Sequence, residues 1–162
     1  MYAYCLFCET QRCKMIAELI RKNYGYICFA PQIVQRKWVK GIPMEETHEW
    51  LPGYIFVYAY EKINPRFAID GILRCLGNEE LHGWDREFAE MLYHRNGVIG
   101  SVPLVQEGER CLLADPYWKR MHGTIIRLDK ERKRCCIEYV FDGIERKIWV
   151  GYDIIQAERS VE

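Results

Sequence analysis

The chain has 162 residues, enough for one domain or two small ones. Lys+Arg and Asp+Glu are both 23, so the net charge is +0. That excludes a protein that coats nucleic acid by bulk charge and leaves room only for local basic patches. Apolar residues make up 49% and aromatics 14%, which excludes a disordered chain and supports packed cores.

Residues 2–8 are apolar and aromatic, too short for a helix, and predict a buried strand. Thr10 is placed to cap a helix from Gln11 to Tyr24, whose Cys13, Ile16, Ala17, Ile20 and Tyr24 form one apolar face. Gly25 ends it as a left-handed stop. Tyr26 to Ala30 predicts a short strand closed by Pro31. Gln32 to Trp50 runs basic, turns at Gly41-Ile42-Pro43, then runs acidic, which predicts a hairpin with cross-strand charge pairs. After the turn Leu51-Pro52-Gly53, Tyr54 to Tyr60 predicts a central strand. Asn64-Pro65-Arg66 is expected to open a short helix, and Ile72 to Leu76 another strand. Asp85 to Asn96 predicts a second amphipathic helix with Phe88, Ala89 and Leu92 inward.

The region 98–108 is poor in charge and rich in Gly, Pro and Ser, and is expected to be a linker. Beyond it come short β-rich runs at Cys111–Ala114, Thr124–Leu128, Cys135–Phe141 and Ile144–Val150, with Ile154-Ile155 as a candidate fifth strand. Asp142-Gly143 is a tight hairpin turn. The expected architecture is α+β: an N-terminal domain over 1–97 with an antiparallel sheet flanked by helices, and a small closed β-barrel over 109–162.

Catalytic signatures are missing: the chain has no G-x-S-x-G, H-E-x-x-H, Walker loop or G-x-G-x-x-G. The carboxylates of Glu45-Glu46 face apart on a strand, and His48, His82, His94 and His122 have no ligand spacing. Cys5-x-x-Cys8 lies in a strand, where residues three apart point to opposite faces, so no metal site is expected. With no signal-peptide pattern, the eight cysteines read as buried free thiols of a cytoplasmic protein. The longest uncharged apolar run, Trp50 to Tyr60, is about half the length of a membrane-spanning helix. Neither a cofactor nor an enzymatic activity is expected.

Two stretches suggest binding. Alternation puts Tyr54 and Phe56 on one strand face and Ile55 and Val57 on the other. If one set packs on helices and nothing covers the other, the aromatics form a protein-binding surface; otherwise both are core. From Trp118 to Arg134, the basic residues Lys119, Arg120, Arg127, Lys130, Arg132, Lys133 and Arg134 are interleaved with aromatics. Such a stretch can hold RNA through phosphate contacts and stacking, or it can be a solvated hairpin turn.

The order strand, helix, Phe-Ala-Pro (29–31), hairpin, Leu-Pro-Gly-Tyr-Ile-Phe-Val (51–57) resembles the N-terminal domain of the NusG family. There Leu51 stands where the family has Phe. The segment from Asp115 to Ile126 resembles the family's KOW barrel motif, with Asp115 and Tyr117 in place of Gly and Phe, and Gly123 matching. The resemblance implies a transcription elongation factor, monomeric, whose first domain binds the β′ clamp helices of bacterial RNA polymerase. Positions matching Phe7, Trp50, Tyr54 and Phe56 would form the binding cavity. It implies further that Arg12, Lys14 and Lys22 face non-template DNA, and that Lys62 and Asn64 lie where relatives touch the β gate loop. The barrel loop containing Phe141 would meet a partner such as Rho or a small-subunit ribosomal protein. The segment 35–41 is more similar to specialised paralogues of the RfaH and LoaP type, which promote antitermination on particular operons. Recruitment would then use a DNA element or a nascent RNA hairpin, the latter held by Lys119, Arg120, Arg132, Lys133 and Arg134. The alternatives are a housekeeping elongation factor, or an RNA- or ribosome-binding KOW protein that does not meet polymerase. A stable β second domain is expected, because Thr124–Ile126 and Ile137–Phe141 are rich in β-branched and aromatic residues.

Overall fold

In the computed structural model, which describes residues 1–155, the elements run β1 (Tyr2–Cys8), α1 (Cys13–Tyr24), β2 (Ile27–Phe29), β3 (Gln32–Val39), β4 (Ile42–Glu49), β5 (Tyr54–Ala59), β6 (Ile72–Cys75) and α2 (Gly83–His94). They continue as β7 (Val98–Ile99), β8 (Val102–Glu107), β9 (Arg110–Leu113), α3 (Pro116–Arg120), β10 (Thr124–Asp129), β11 (Arg134–Phe141) and β12 (Ile144–Ile155). Residues 156–162, the end of the expected barrel span, lie outside the described ones. The fold is mixed α+β, in two compact units. The first comprises Met1–Ile33 and Thr47–Ile99; the second comprises Val34–Glu46, the outer half of the β3–β4 hairpin, and Gly100 onward.

The first unit is built on an antiparallel sheet of order β2-β5-β1-β6. Both central strands read as near-continuous apolar runs because both faces of the sheet are covered. On one face Tyr4, Leu6, Cys8, Ile55 and Val57 pack with Ile16, Ala17 and Ile20 of α1. On the other, Phe56 lies 5.7 Å ring to ring from Phe88 of α2, Trp50 lies 5.0 Å from the same ring, and Tyr58 donates a hydrogen bond to the Ala89 carbonyl at 2.5 Å. Gly25 ends α1 at φ 72, its N–H bonded to the Arg21 carbonyl, as expected. Three local expectations fail here. Tyr24 is exposed, stacked on Tyr26 and edge-on to Phe67. Thr10 makes no cap; it opens a 3-10 turn flanked by Glu9. Asn64-Pro65-Arg66 opens no helix: the Asn64 side chain accepts the Arg66 N–H, closing a local turn, while Ile63, Phe67 and Ile69 pack against the α1-side core.

The second unit contains a five-stranded curled sheet of order β10-β11-β12-β8-β9, whose outer strands β9 and β10 approach each other. Asp142-Gly143, both at positive φ, make the expected two-residue turn between β11 and β12. The stretch 98–108, expected as a linker, is instead largely strand. Its Val102 and Leu104 are buried, and β8 pairs in parallel with the end of β12. Ile154-Ile155 therefore add no separate strand; they extend β12, and β8 is the fifth strand. α3 was not expected either: Asp115 accepts the Tyr117 N–H at 2.8 Å and Pro116 starts the helix, so a single turn forms from local capping. Among the described residues no helix is long and apolar enough to cross a membrane.

The cysteines carry no disulfide, and six of the eight are buried. Burial pushes the Cys8, Cys28 and Cys135 thiols up to about 12. Since the thiolate is the reactive form, alkylation of the folded protein near pH 8 should label the half-exposed Cys75 and Cys111 first. Peptide mass spectrometry reading early label at Cys8, Cys28 or Cys135 would contradict that burial.

Candidate functional site

The expected polymerase cavity divides when the side chains are placed. Trp50 and Phe56 belong to the core under α2 and are closed off from solvent. Tyr54 is also buried, at 7% exposure, so the strand presents no open aromatic face. Phe7 is half-buried at the end of the sheet, its ring 5.2 Å from Tyr54 in a T-shaped pair, with the Arg74 guanidinium 5.4 Å from its centroid.

The turn that holds this end of the sheet explains the Leu-Pro-Gly-Tyr spacing. Tyr54 N–H bonds back to the Leu51 carbonyl at 3.1 Å, with Pro52 and Gly53 between. Gly53 sits at φ 96, and a Cβ there would meet the Phe7 ring at 3.0 Å. The position therefore calls for glycine on two grounds, a left-handed backbone and close approach. The Gly53 carbonyl accepts the Cys8 N–H at 2.7 Å, locking the turn to β1. Beside it runs the edge strand β6. Its pairing with β1 slips between Phe7–Arg74 and Cys8–Ile72, and Leu73, at the slip, is 58% exposed. Phe7 and Arg74, cross-strand partners, thus set a half-buried ring with a cation over it beside this turn, and Leu73 adds an exposed apolar side chain on the same edge strand. Leu73 and Arg74 were missed from sequence because a four-residue strand reads as core; the slip on an edge strand leaves no local signal.

Of the candidate DNA-facing cations, Arg12 is engaged: Nη1 donates to Asp70 Oδ2 at 2.7 Å and Nε lies 3.1 Å from Glu9. The Arg12 hydrogen bond and charge hold the Asp70 carboxyl below its usual range. Lys14 and Lys22 lie exposed on α1. Lys62 and Asn64 are exposed too, with the Asn64 side chain held by Arg66.

In the second unit the structure splits the basic stretch. Lys119 and Arg120 end α3, where the chain enters β10, and Arg120 lies 4.6 Å over the Tyr117 ring. Arg132 and Lys133 sit at the opposite end of β10, in the turn to β11, and Arg134 is the first residue of β11. Asp129 shapes that turn by accepting the Arg132 N–H at 3.1 Å and the Arg134 Nε–H at 3.4 Å. Arg134 also lies 4.8 Å over the Trp149 ring and is half-buried, whereas Arg132 and Lys133 are exposed. Phe141, expected in a partner loop, is buried as the last residue of β11. Arg146 lies over its ring and bonds its carbonyl, and the exposed apolar residue of that loop is Ile144.

No family model and no curated protein matches this chain. Among the described residues no group of three or more His, Cys, Asp or Glu side chains could hold a metal ion.

Proposed function

We propose that the chain is a transcription elongation and antitermination factor of the NusG type that acts by binding, not by catalysis. In this reading the first unit docks on the clamp helices of bacterial RNA polymerase, and the second engages a nucleic-acid element such as a nascent RNA hairpin. The finer fold assignment, a NusG-like N-terminal domain followed by an SH3-like KOW barrel, belongs to the same proposal. The observation that carries it is the Phe7–Arg74 pair beside the Leu51–Tyr54 turn, with the exposed Leu73 on the same edge strand, at the place where the sequence resemblance is densest. A sheet edge that offers an aromatic ring, a guanidinium and an exposed leucine suits the tip of a helical hairpin that carries apolar and acidic side chains. Gly123 supports the reading of the second unit: a Cβ there would lie 3.0 Å from the Trp118 ring, which gives the motif's glycine a steric reason.

Mechanically, a factor that binds the closed, elongating polymerase better than the paused one shifts the equilibrium by that difference in affinity. Weaker pausing follows. The test is capture of bacterial core RNA polymerase by the purified chain, with Leu73→Arg as the control. The substitution places a charge on an exposed site, so the fold is retained while binding falls by about tenfold or more. Equal capture by parent and variant removes this sheet edge from the interface, and no capture by the parent removes the polymerase reading.

A further inference from the structure

The outer half of the β3–β4 hairpin and the β10–β11 turn, both in the second unit, line an open groove of about 570 Å³. That volume is within the range of small-molecule and nucleotide sites, about 300–1,000 Å³. Trp38 stands in the groove, 53% exposed, on a strand that supplies Arg36 from the same face. Arg132 and Lys133 enter from the turn, and neither side chain makes a salt bridge among the described residues. Glu45 and Glu131 complete the lining. An exposed indole, three cations and two carboxylates thus share one groove. Arg36 also lies 4.0 Å from Asp153, which leaves Arg132 and Lys133 as the groove cations without a salt bridge among the described residues.

The geometry points to a binding subsite for one unpaired nucleotide of an RNA, its base stacked on Trp38 and its flanking phosphates held by Arg36, Arg132 and Lys133. Stacking on a side chain needs a free base face, which a base inside a duplex does not offer. Two adjacent cations without a carboxylate partner, Arg132 and Lys133, favour a polyanionic backbone over a single acidic side chain, since successive phosphates can meet both at once while Arg36 exchanges Asp153 for a phosphate. The carboxylates of Glu45 and Glu131 are acceptors only, and they suit the 2′-hydroxyl donor that distinguishes ribose from deoxyribose. The inference rests on the reading that the β10–β11 turn meets RNA. It adds to that reading Trp38 and Arg36, which come from the other end of the sequence.

The experiment is fluorescence-anisotropy binding of the full chain to a short oligoadenylate RNA, the DNA strand of the same sequence, and a blunt RNA duplex. Trp38→Ala is expected to weaken RNA binding by about tenfold or more. Trp38→Phe retains most of the affinity, because a ring face remains, while Trp38→Leu behaves like the alanine variant. Arg36→Gln lowers the slope of log affinity against log salt by roughly 0.7, the share of one single-strand phosphate contact. Leucine matching phenylalanine would overturn stacking. Equal binding of the duplex or of the DNA would overturn the unpaired-ribonucleotide assignment, and no RNA binding by the parent would overturn the whole subsite. Trp38→Ala is expected to capture polymerase as the parent does, so this proposal and the polymerase reading fail separately.

Discussion

Replacing Phe56 by alanine is expected to destabilise the first unit by about 3–5 kcal/mol, the range for removing a buried aromatic ring. Phe56 is 0% exposed and packs between β5 and α2, against Phe88, which also carries Trp50. The surrounding backbone is tied by the paired strands β1 and β2 on either side, with Cys5 and Phe29 directly opposite Phe56. The site therefore cannot collapse onto the lost volume, and the cavity adds to the lost transfer energy. Urea unfolding gives the magnitude, and hydrogen exchange of the β1 and β5 amides shows where the loss falls. A variant within about 1 kcal/mol of the parent would mean that α2 does not cover this face, and the open aromatic surface would have to be reconsidered. The result also governs any functional assay. A Phe56→Ala protein that fails to bind a partner reports an unfolded unit, whereas Leu73→Arg reports the surface.

Trp118→Ala is expected to cost the second unit a similar amount, about 3–5 kcal/mol. Trp118 is 1% exposed although it sits on a helix of only five residues. Its ring meets Tyr139 edge-on at 5.6 Å, and its carbonyl accepts the Gly123 N–H at 2.8 Å. So short a helix has no independent stability. Trp118, together with the Asp115 cap, anchors it on the sheet. Loss of the indole should therefore release α3, and with it Lys119 and Arg120, before the strands open. Hydrogen exchange at residues 117–123 that rises ahead of β11 would show this order; unchanged exchange there would contradict the anchoring role.

Much of the fold is legible along the chain because its causes are local. The apolar stripe Cys13, Ile16, Ala17, Ile20 and the left-handed Gly25 specify α1 and its end. Asp142-Gly143 specify the β11–β12 turn, and the basic and acidic arms of the hairpin meet at Lys37–Glu46, 3.5 Å apart. The candidate site was less legible. The alternation of Tyr54 to Val57 fixes two faces but carries no information about what lies on each, and the fate of the aromatics depends on a helix that begins about thirty residues later. The basic stretch looks like one patch in sequence, yet β10 runs through its middle and carries its two halves to opposite ends of a strand.

The sequence by itself determined the periodicities, the turns and the stops, since each depends on a few adjacent residues and their backbone preferences. Only the tertiary structure decided that α2 closes the aromatic face of β5, that Phe141 turns inward, that β8 joins β12, and that Trp38 shares a groove with Arg132. Those outcomes depend on which distant surfaces exclude water from each other, and spacing along the chain does not encode that.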